Sequence, residues 1–251
     1  MMIEGYGRVA IVTGAGQGLG YAIAKLFVEE GKRVVFVDIS KKLLDAVKEE
    51  MKDVDPNHVM FIEMDVADVK AIRNCVDHVM KEWKRIDILV NNAGIRTETP
   101  IAEMTWEEWE RVMAVNLGGT FFFSQAVMPI MKEQEWGRII NMSSYGGQFG
   151  PPTSSASYCA SKSGQLVLTK IFARELAPYG VTVNTVAPAA IRTPEMDKIA
   201  PEKLEKMVKG IPVGRVGESD EVARMVSFLA SESAGYVTGA TFDINGGLLM
   251  R

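Results

Sequence analysis

The chain has 251 residues, 47% of them hydrophobic and 24% charged, the composition of a soluble globular domain with room for a large core. A net charge of −4 argues against a nucleic-acid partner, which calls for a basic face. Two isolated cysteines, Cys75 and Cys159, and two histidines, His58 and His78, offer neither a disulfide framework nor a metal site. No leader pattern stands in residues 1–8 and no run approaches 18 apolar residues, so neither signal peptide nor membrane span is expected; the cytoplasm is the expected compartment.

The first expected strand, 8–13, ends in Thr13-Gly14-Ala15-Gly16-Gln17-Gly18-Leu19-Gly20 and opens directly onto an amphipathic stretch, 19–30. Glycines at such a strand–helix junction let backbone N–H groups approach a pyrophosphate, and the helix N-terminus adds partial positive charge. The spacing Gly14-x3-Gly18-x-Gly20 is not the standard dinucleotide fingerprint, so the turn by itself is also compatible with a tight connection. The next strand, 33–38, closes on Asp38, 18 residues beyond Gly20, where a carboxylate accepts from adenosine ribose hydroxyls and repels a 2′-phosphate. Together they point to NAD rather than NADP, with Lys41 and Lys42 the one contrary feature and a helix cap the structural alternative for Asp38.

Further strands are expected at 59–65, 86–90, 137–142, 181–186 and 241–244, and helices at 41–51, 69–84, 105–132, 157–177 and 219–230. Asp68 and Ser219 stand at N-cap positions, and Gly31 and Gly180 mark ends. The alternation implies an α/β fold: one doubly wound parallel sheet of seven strands with helices on both faces, and residues 1–251 as a single NAD-binding catalytic domain. Segment 188–217 breaks the rhythm with Pro188, Pro194, Pro201 and Pro212 and is expected to cover the substrate, the alternative being a solvated excursion.

Tyr158 and Lys162 are one helical turn apart on the same face. A phenol ordinarily titrates near ~10, and a neighbouring ammonium favours the phenolate, bringing it toward acid–base work at neutral pH. The pair follows Ser143-Ser144 at the end of a strand; alternation points the two serines oppositely, and Ser144 is preferred for the site. Trp106, Trp109, Phe121-Phe122-Phe123 and Cys159 read as packing or interface residues.

These motifs, with Asp65-Val66, Asn91-Asn92-Ala93-Gly94, Asn116, and Asn184-x-Val186-x-Pro188 followed by Thr193, resemble the short-chain dehydrogenase/reductase family along essentially the whole chain. The resemblance implies a Rossmann-type fold and a reaction between NAD and a secondary alcohol or ketone. It assigns Tyr158 as general acid/base, Ser144 as hydrogen-bond partner of the substrate oxygen, Lys162 to the nicotinamide ribose and the Tyr158 pKa, and Asn116 to a relay water. It places the cofactor on Gly14, Gln17, Gly18, Leu19, Gly20 and Asp38. Asp65 and Val66 would meet adenine, Asn92, Ala93 and Gly94 the adenosine ribose, and Pro188, Ile191 and Thr193 the nicotinamide end. Two departures stand out: Ala189 replaces the glycine that usually follows the proline, and the gap from Ser144 to Tyr158 is one residue longer than the commonest spacing.

A 3-oxoacyl-carrier-protein reductase is the nearest alternative, although it usually prefers NADPH and meets its acidic carrier through basic residues. A sugar-acid or polyol dehydrogenase is a further one, and a redox-inert NAD-sensing regulator comes from another class. Arg96, in the expected pocket wall, either pairs with a substrate carboxylate or phosphate or is solvated. Apolar residues beyond the needs of one sheet face, Phe121 to Phe123, Leu168, Ile171, Phe172 and Leu176, with the apolar chain end 245–250, predict a homotetramer.

Overall fold

Seven short runs pair as one parallel sheet: β1 (Val9–Thr13), β2 (Arg33–Asp38), β3 (Val59–Glu63), β4 (Ile88–Asn91), β5 (Gly137–Met142), β6 (Val181–Pro188) and β7 (Thr241–Ile244), in spatial order β3-β2-β1-β4-β5-β6-β7. These come from a computed structural model that describes residues 7–194, 196 and 199–250. The leader expectation therefore rests mostly on positions outside the described residues. β1, β4, β5 and β6 are buried throughout, because helices cover both faces; most of their side chains are apolar without alternation, and the polar ones, such as Asn91, Asn141 and Thr185, are buried too. The edge strands β3 and β7 are only half-buried.

Helices α1 (Gly18–Glu29), α2 (Lys41–Glu50) and α9 (Ser219–Leu229) bury Ile23, Phe27, Leu44, Val47, Val222 and Val226 against one face. On the other lie α3 (Val69–Trp83), α4 (Trp106–Met113), α5 (Gly119–Gln134) and α7 (Ala156–Leu176), around Val79, Phe123, Val127, Met131, Phe172 and Leu176. The chain order reverses between β1 and β4, which opens a crevice at the carboxyl ends of the strands.

Helix starts follow their caps. Ser40 accepts from the Leu43 N–H, Asp68 from Lys70 and Ala71, Thr105 from Glu108, and Ser155 from Tyr158. Ser219 is not a cap: Glu218 and Glu221 form a reciprocal capping box, and the Ser219 hydroxyl donates to the Arg192 carbonyl at 2.6 Å. The expected helix 105–132 is interrupted by a π-turn, Ala114–Gly118, between α4 and α5. The helical stretch Trp106–Gln134 is, by length and composition, apolar enough to cross a bilayer, contrary to the run-length reading. Here its apolar face lies on the sheet, and it buries Asn116, Thr120 and Ser124. Segment 188–217 is not wholly irregular, since it carries α8 (Pro201–Lys209); Glu195, Asp197 and Lys198 within it lie outside the described residues.

The amino-terminal edge of the sheet is fastened by a buried charge. Asp87, fully buried, accepts from Arg85 Nη2 (2.7 Å) and Nε (2.8 Å) and from the Val9 N–H (2.8 Å), with Arg8 Nη1 at 3.4 Å. Arg8 also lies over the Trp136 ring, 3.3 Å from its centroid. Removing the carboxylate leaves the buried Val9 N–H without its acceptor, while half-exposed Arg85 turns to solvent and Arg8 keeps Glu232, so Asp87→Ala is expected to lower unfolding free energy by about 1–3 kcal/mol. Urea unfolding would show this as a lower midpoint at unchanged slope, and a change below about 1 kcal/mol would refute the role of Asp87 as a fastener.

Candidate active site

The glycine-rich turn is held by β4. Thr13 Oγ1 accepts from the N–H groups of Asn92 and Ala93, each at 3.0 Å, and Asn92 Nδ2 donates to the carbonyls of Thr13 (2.9 Å) and Gly14 (3.2 Å). Gly20 sits so close to the turn that a Cβ there would lie 2.1 Å from the Gly14 carbonyl oxygen. Gly14 and Gly18 are left-handed, at φ +63° and +57°, and Gly18 faces Thr193 across the crevice. α1 begins after Gln17 with no side-chain cap and no acidic residue in its first turn, so the helix presents N–H groups and positive dipole charge at this point. That arrangement fits a pyrophosphate.

Asp38 lies beside the turn. Its Oδ2 accepts from the Gly16 N–H and its Oδ1 from the Ser40 N–H, both at 2.9 Å. It does not cap α2; Ser40 does. Lys41 is turned onto Asp45 at 2.5 Å. Asp65 comes to the same edge just beyond β3, accepting from the Ala67 N–H (2.9 Å) and pairing with Arg111 (2.7 Å). Burial works to raise its pKa, but the Arg111 and Ala67 bonds outweigh burial and hold the carboxyl below its ordinary value. Val66 is buried next to it.

At the carboxyl ends of β5 and β6 the catalytic candidates converge. Ser143 is buried and donates to the Lys162 carbonyl at 2.7 Å, which anchors α7, whereas Ser144 hydrogen-bonds the Tyr158 hydroxyl. Burial raises the Tyr158 pKa, opposed by the Ser144 bond and the positive charge of Arg96. Lys162 is not among the groups that oppose it. The Lys162 ammonium donates to the Met142 carbonyl at 2.6 Å, 5.9 Å from the Tyr158 ring centroid, and burial pushes its pKa down to about 8.

Asn116 lies in the π-turn and is fully buried. Its Oδ1 accepts from the Ile95 N–H (2.7 Å), and its Nδ2 donates to the Ile95 carbonyl (2.9 Å) and Ser161 Oγ (3.0 Å). Its main-chain carbonyl already accepts from Gln165 Nε2 (2.9 Å) and Thr120 Oγ1 (2.8 Å). A relay water at that carbonyl would compete with two protein donors. Gln165, which no local pattern in the sequence singles out, is fully buried, and its Oε1 has no partner among the described residues. Gly146 belongs to the stretch 145–149 expected from the sequence to line the substrate pocket: a Cβ there would meet the Tyr158 ring at 3.2 Å and Ser144 Oγ at 3.4 Å, so the absent side chain keeps space beside these two residues. Its signal is the glycine pair Gly146-Gly147 shortly after the serines.

The nicotinamide-end candidates lie on the stretch leaving β6. The Pro188 carbonyl accepts from the Tyr145 N–H (2.8 Å), and Ile191, buried, bridges to Gly217. Ala189 needs no left-handed backbone, so replacing the usual glycine costs nothing in conformation here. Gly94 faces both Asn116 Oδ1 and Lys162 Nζ, at 3.3 and 3.4 Å from a built Cβ. The long gap from Ser144 to Tyr158 is taken up by a short helix, α6 (Gly146–Phe149), and a turn in which the Ser154 N–H donates to the Pro151 carbonyl.

Residues 14–249 match the family model described as enoyl-(acyl carrier protein) reductase. The chain is 41% identical over 244 residues to the 3-oxoacyl-[acyl-carrier-protein] reductase FabG of Thermotoga maritima, covering 97% of this chain and 98% of that one. It is 38% identical to the enzyme of the same name from Aquifex aeolicus, over 99% and 100% of the two chains. The crystal structure of a Brucella melitensis protein, described as a short-chain dehydrogenase/reductase and glucose/ribitol dehydrogenase, superposes with a TM-score of 0.91 at 31% identity and full coverage of both chains.

Burial of Lys162 has a consequence for stability. Its folded pKa of about 8 lies below the ordinary 10.5, so between those values the unfolded chain holds the proton more tightly and native stability rises with pH. Lys162→Met removes the buried charge. Its Tm relative to wild type is expected to be highest at pH 7 and to decline across pH 8 to 10.5. A difference independent of pH over that window would contradict the assignment.

Proposed function

Because the chain belongs to the short-chain dehydrogenase/reductase family, we propose that it transfers a hydride between NAD(H) and a secondary alcohol/ketone pair with Tyr158 as general acid/base. The observation that carries this is the hydrogen bond between Ser144 and the Tyr158 hydroxyl, next to buried Lys162 and on the same sheet edge as the glycine turn. The curated relatives' names favour the alternative raised from the sequence: the ketone is a 3-oxoacyl carbonyl rather than that of an unspecialised alcohol dehydrogenase substrate. A polyol or sugar-acid substrate is the second reading, supported by the name of the Brucella protein.

The dinucleotide, when bound, supplies or accepts the hydride. Gly14, Gln17, Gly18, Leu19 and Gly20 would hold its pyrophosphate, and Asp38 its adenosine ribose. Asp65 and Val66 would border the adenine, Asn92, Ala93 and Gly94 the adenosine ribose side, Tyr158 and Lys162 the second ribose, and Pro188, Ile191 and Thr193 the nicotinamide. In the reductive direction Ser144 Oγ positions the carbonyl oxygen, Tyr158 gives it the phenolic proton, and that proton is replaced from solvent. Burial holds Tyr158 protonated at neutral pH, the form reduction needs. Oxidation reverses the transfer and needs the phenolate.

Segment 188–217 covers the substrate in this reading, and the free thiols Cys75 and Cys159 accord with a cytoplasmic location. The assembly is a homotetramer: α7 leaves Val167 and Ile171 more than half exposed, and Met250 near the chain end is 76% exposed. Sedimentation at micromolar concentration is expected to give the tetramer mass, and a fully active monomer would refute the assembly.

The functional reading is tested by turnover. NADH should be preferred to NADPH by at least about tenfold in kcat/KM, with Asp38→Ala eroding the preference. Tyr158→Phe should lower kcat by roughly a hundredfold or more while NADH binding survives. Equal use of NADPH would overturn the cofactor assignment, and near-normal turnover by the phenylalanine variant would overturn the mechanism.

A further inference from the structure

Resting on the oxidoreductase reading above, we propose that Arg96 is the specificity residue of this site: it binds an anionic group, carboxylate or phosphate, carried by the substrate close to the carbonyl that Tyr158 serves. The substrate class is thus a small anionic ketone and its hydroxy counterpart, such as a free 3-oxo acid, rather than a neutral carbonyl compound.

Placement is the first argument. Residues 94–97 form one continuous wall from Lys162 to the start of α7. Gly94 faces Lys162 Nζ, and Ile95 is gripped through both main-chain groups by Asn116. Thr97 is clasped to Ser155, the cap of α7: its carbonyl accepts from the Ser155 N–H at 2.9 Å, and its hydroxyl donates to Ser155 Oγ at 2.6 Å. Arg96 stands between these anchors, and Tyr158 lies in the helical turn that Ser155 caps.

Preorganisation is the second. Arg96 Nη2 donates to the Thr153 carbonyl at 2.7 Å, with Nε 3.5 Å from Ser154 Oγ, so the guanidinium is fixed over a turn stiffened by Pro151 and Pro152. Among the described residues Nη1 has no partner. A planar guanidinium held in one orientation loses less entropy on taking an oxyanion and presents parallel donors to it.

Charge is the third. The carboxylate paired with Arg96 is Glu98, at 3.1 Å, and both side chains are about half exposed, at 49% and 54%. Such a pair is weak and readily exchanged for a substrate anion. The neighbouring Tyr158 and Cys159 supply no competing anion, since burial raises the pKa of both, opposed at each by the positive charge of Arg96.

The rival account makes Arg96 only a tether for the turn at 151–154, and matched substrates separate the two. The probes are acetoacetate against methyl acetoacetate, and dihydroxyacetone phosphate against dihydroxyacetone, each with NADH and NADPH. One pair distinguishes a carboxylate source, the other a phosphate. Wild type is expected to favour the anionic member of one pair, less so as ionic strength rises. Arg96→Gln keeps a donor for the Thr153 carbonyl but loses the charge; kcat/KM for the anion should fall roughly ten- to hundredfold, mainly through KM, while the neutral partner changes less than about threefold. Arg96→Lys should restore part of the preference. An equal fall for anion and neutral partner, or a wild-type preference for the neutral member of both pairs, would overturn the proposal. Turnover of a neutral 3-oxoacyl thioester with none of the four probes would overturn it and leave the oxidoreductase reading standing. No turnover of any of these with either cofactor would remove both.

Discussion

A chain of buried hydrogen bonds between the sheet and the helices α5 and α7 is the constraint on which the site depends. Asn91 Nδ2 donates to Asn141 Oδ1 (2.8 Å) and Ser124 Oγ (3.0 Å), joining β4, β5 and α5. Asn141 Nδ2 donates to Thr169 Oγ1 (2.8 Å), which lies 2.6 Å from Thr185 Oγ1, joining α7 to β6. Gln165, one turn earlier on α7, donates to Thr120 Oγ1 (2.7 Å) and to the Asn116 carbonyl. An apolar interface would let α7 slide with little change in energy. Directional bonds between buried groups tolerate no such slip, because each broken one leaves a desolvated donor or acceptor.

The register so imposed is what brings the reacting groups together. Ser143 and Gly147 take hold of α7 at Lys162 and Ser163, Ser161 donates to the Tyr158 carbonyl at 2.7 Å, and Asn116 holds Ser161. In the π-turn that presents Asn116, the Asn116 carbonyl finds side-chain donors in both Thr120 and Gln165. Half-buried Tyr158 and buried Lys162 are thereby held in adjacent positions in which neither ionises as it would in water: desolvation raises the pKa of the phenol and lowers that of the ammonium.

What can be read from the sequence is whatever local chemistry decides. The alternation of apolar runs yields all seven strands, with errors only at their ends, such as β6 running on to Pro188. The glycine turn, Asp38 and the Tyr158–Lys162 spacing are local patterns, and strand alternation rightly separates Ser144 from Ser143. What escapes depends on partners distant in sequence. Nothing near Asn116 announces a π-turn, because its stabilising donor, Gln165, is 49 residues away. The sequence puts Lys162 on the face of Tyr158 but does not announce the strand-end carbonyl of Met142, 20 residues away, onto which its ammonium is turned. α8 escapes because prolines read as breakers, although Pro201 stands at the first helical position, where a missing N–H costs nothing.

The central claim is that Tyr158 exchanges the proton of the reaction from a half-buried position whose desolvation favours its neutral form. The pH dependence of kcat/KM in both directions tests it most directly. Carbonyl reduction should be level through neutral pH and fall only at alkaline pH. Alcohol oxidation should rise with pH across the same range, as the phenolate becomes populated. Oxidation that is level from acid to alkaline pH, or reduction that is lost below neutral pH, would contradict Tyr158 as the proton-exchanging group.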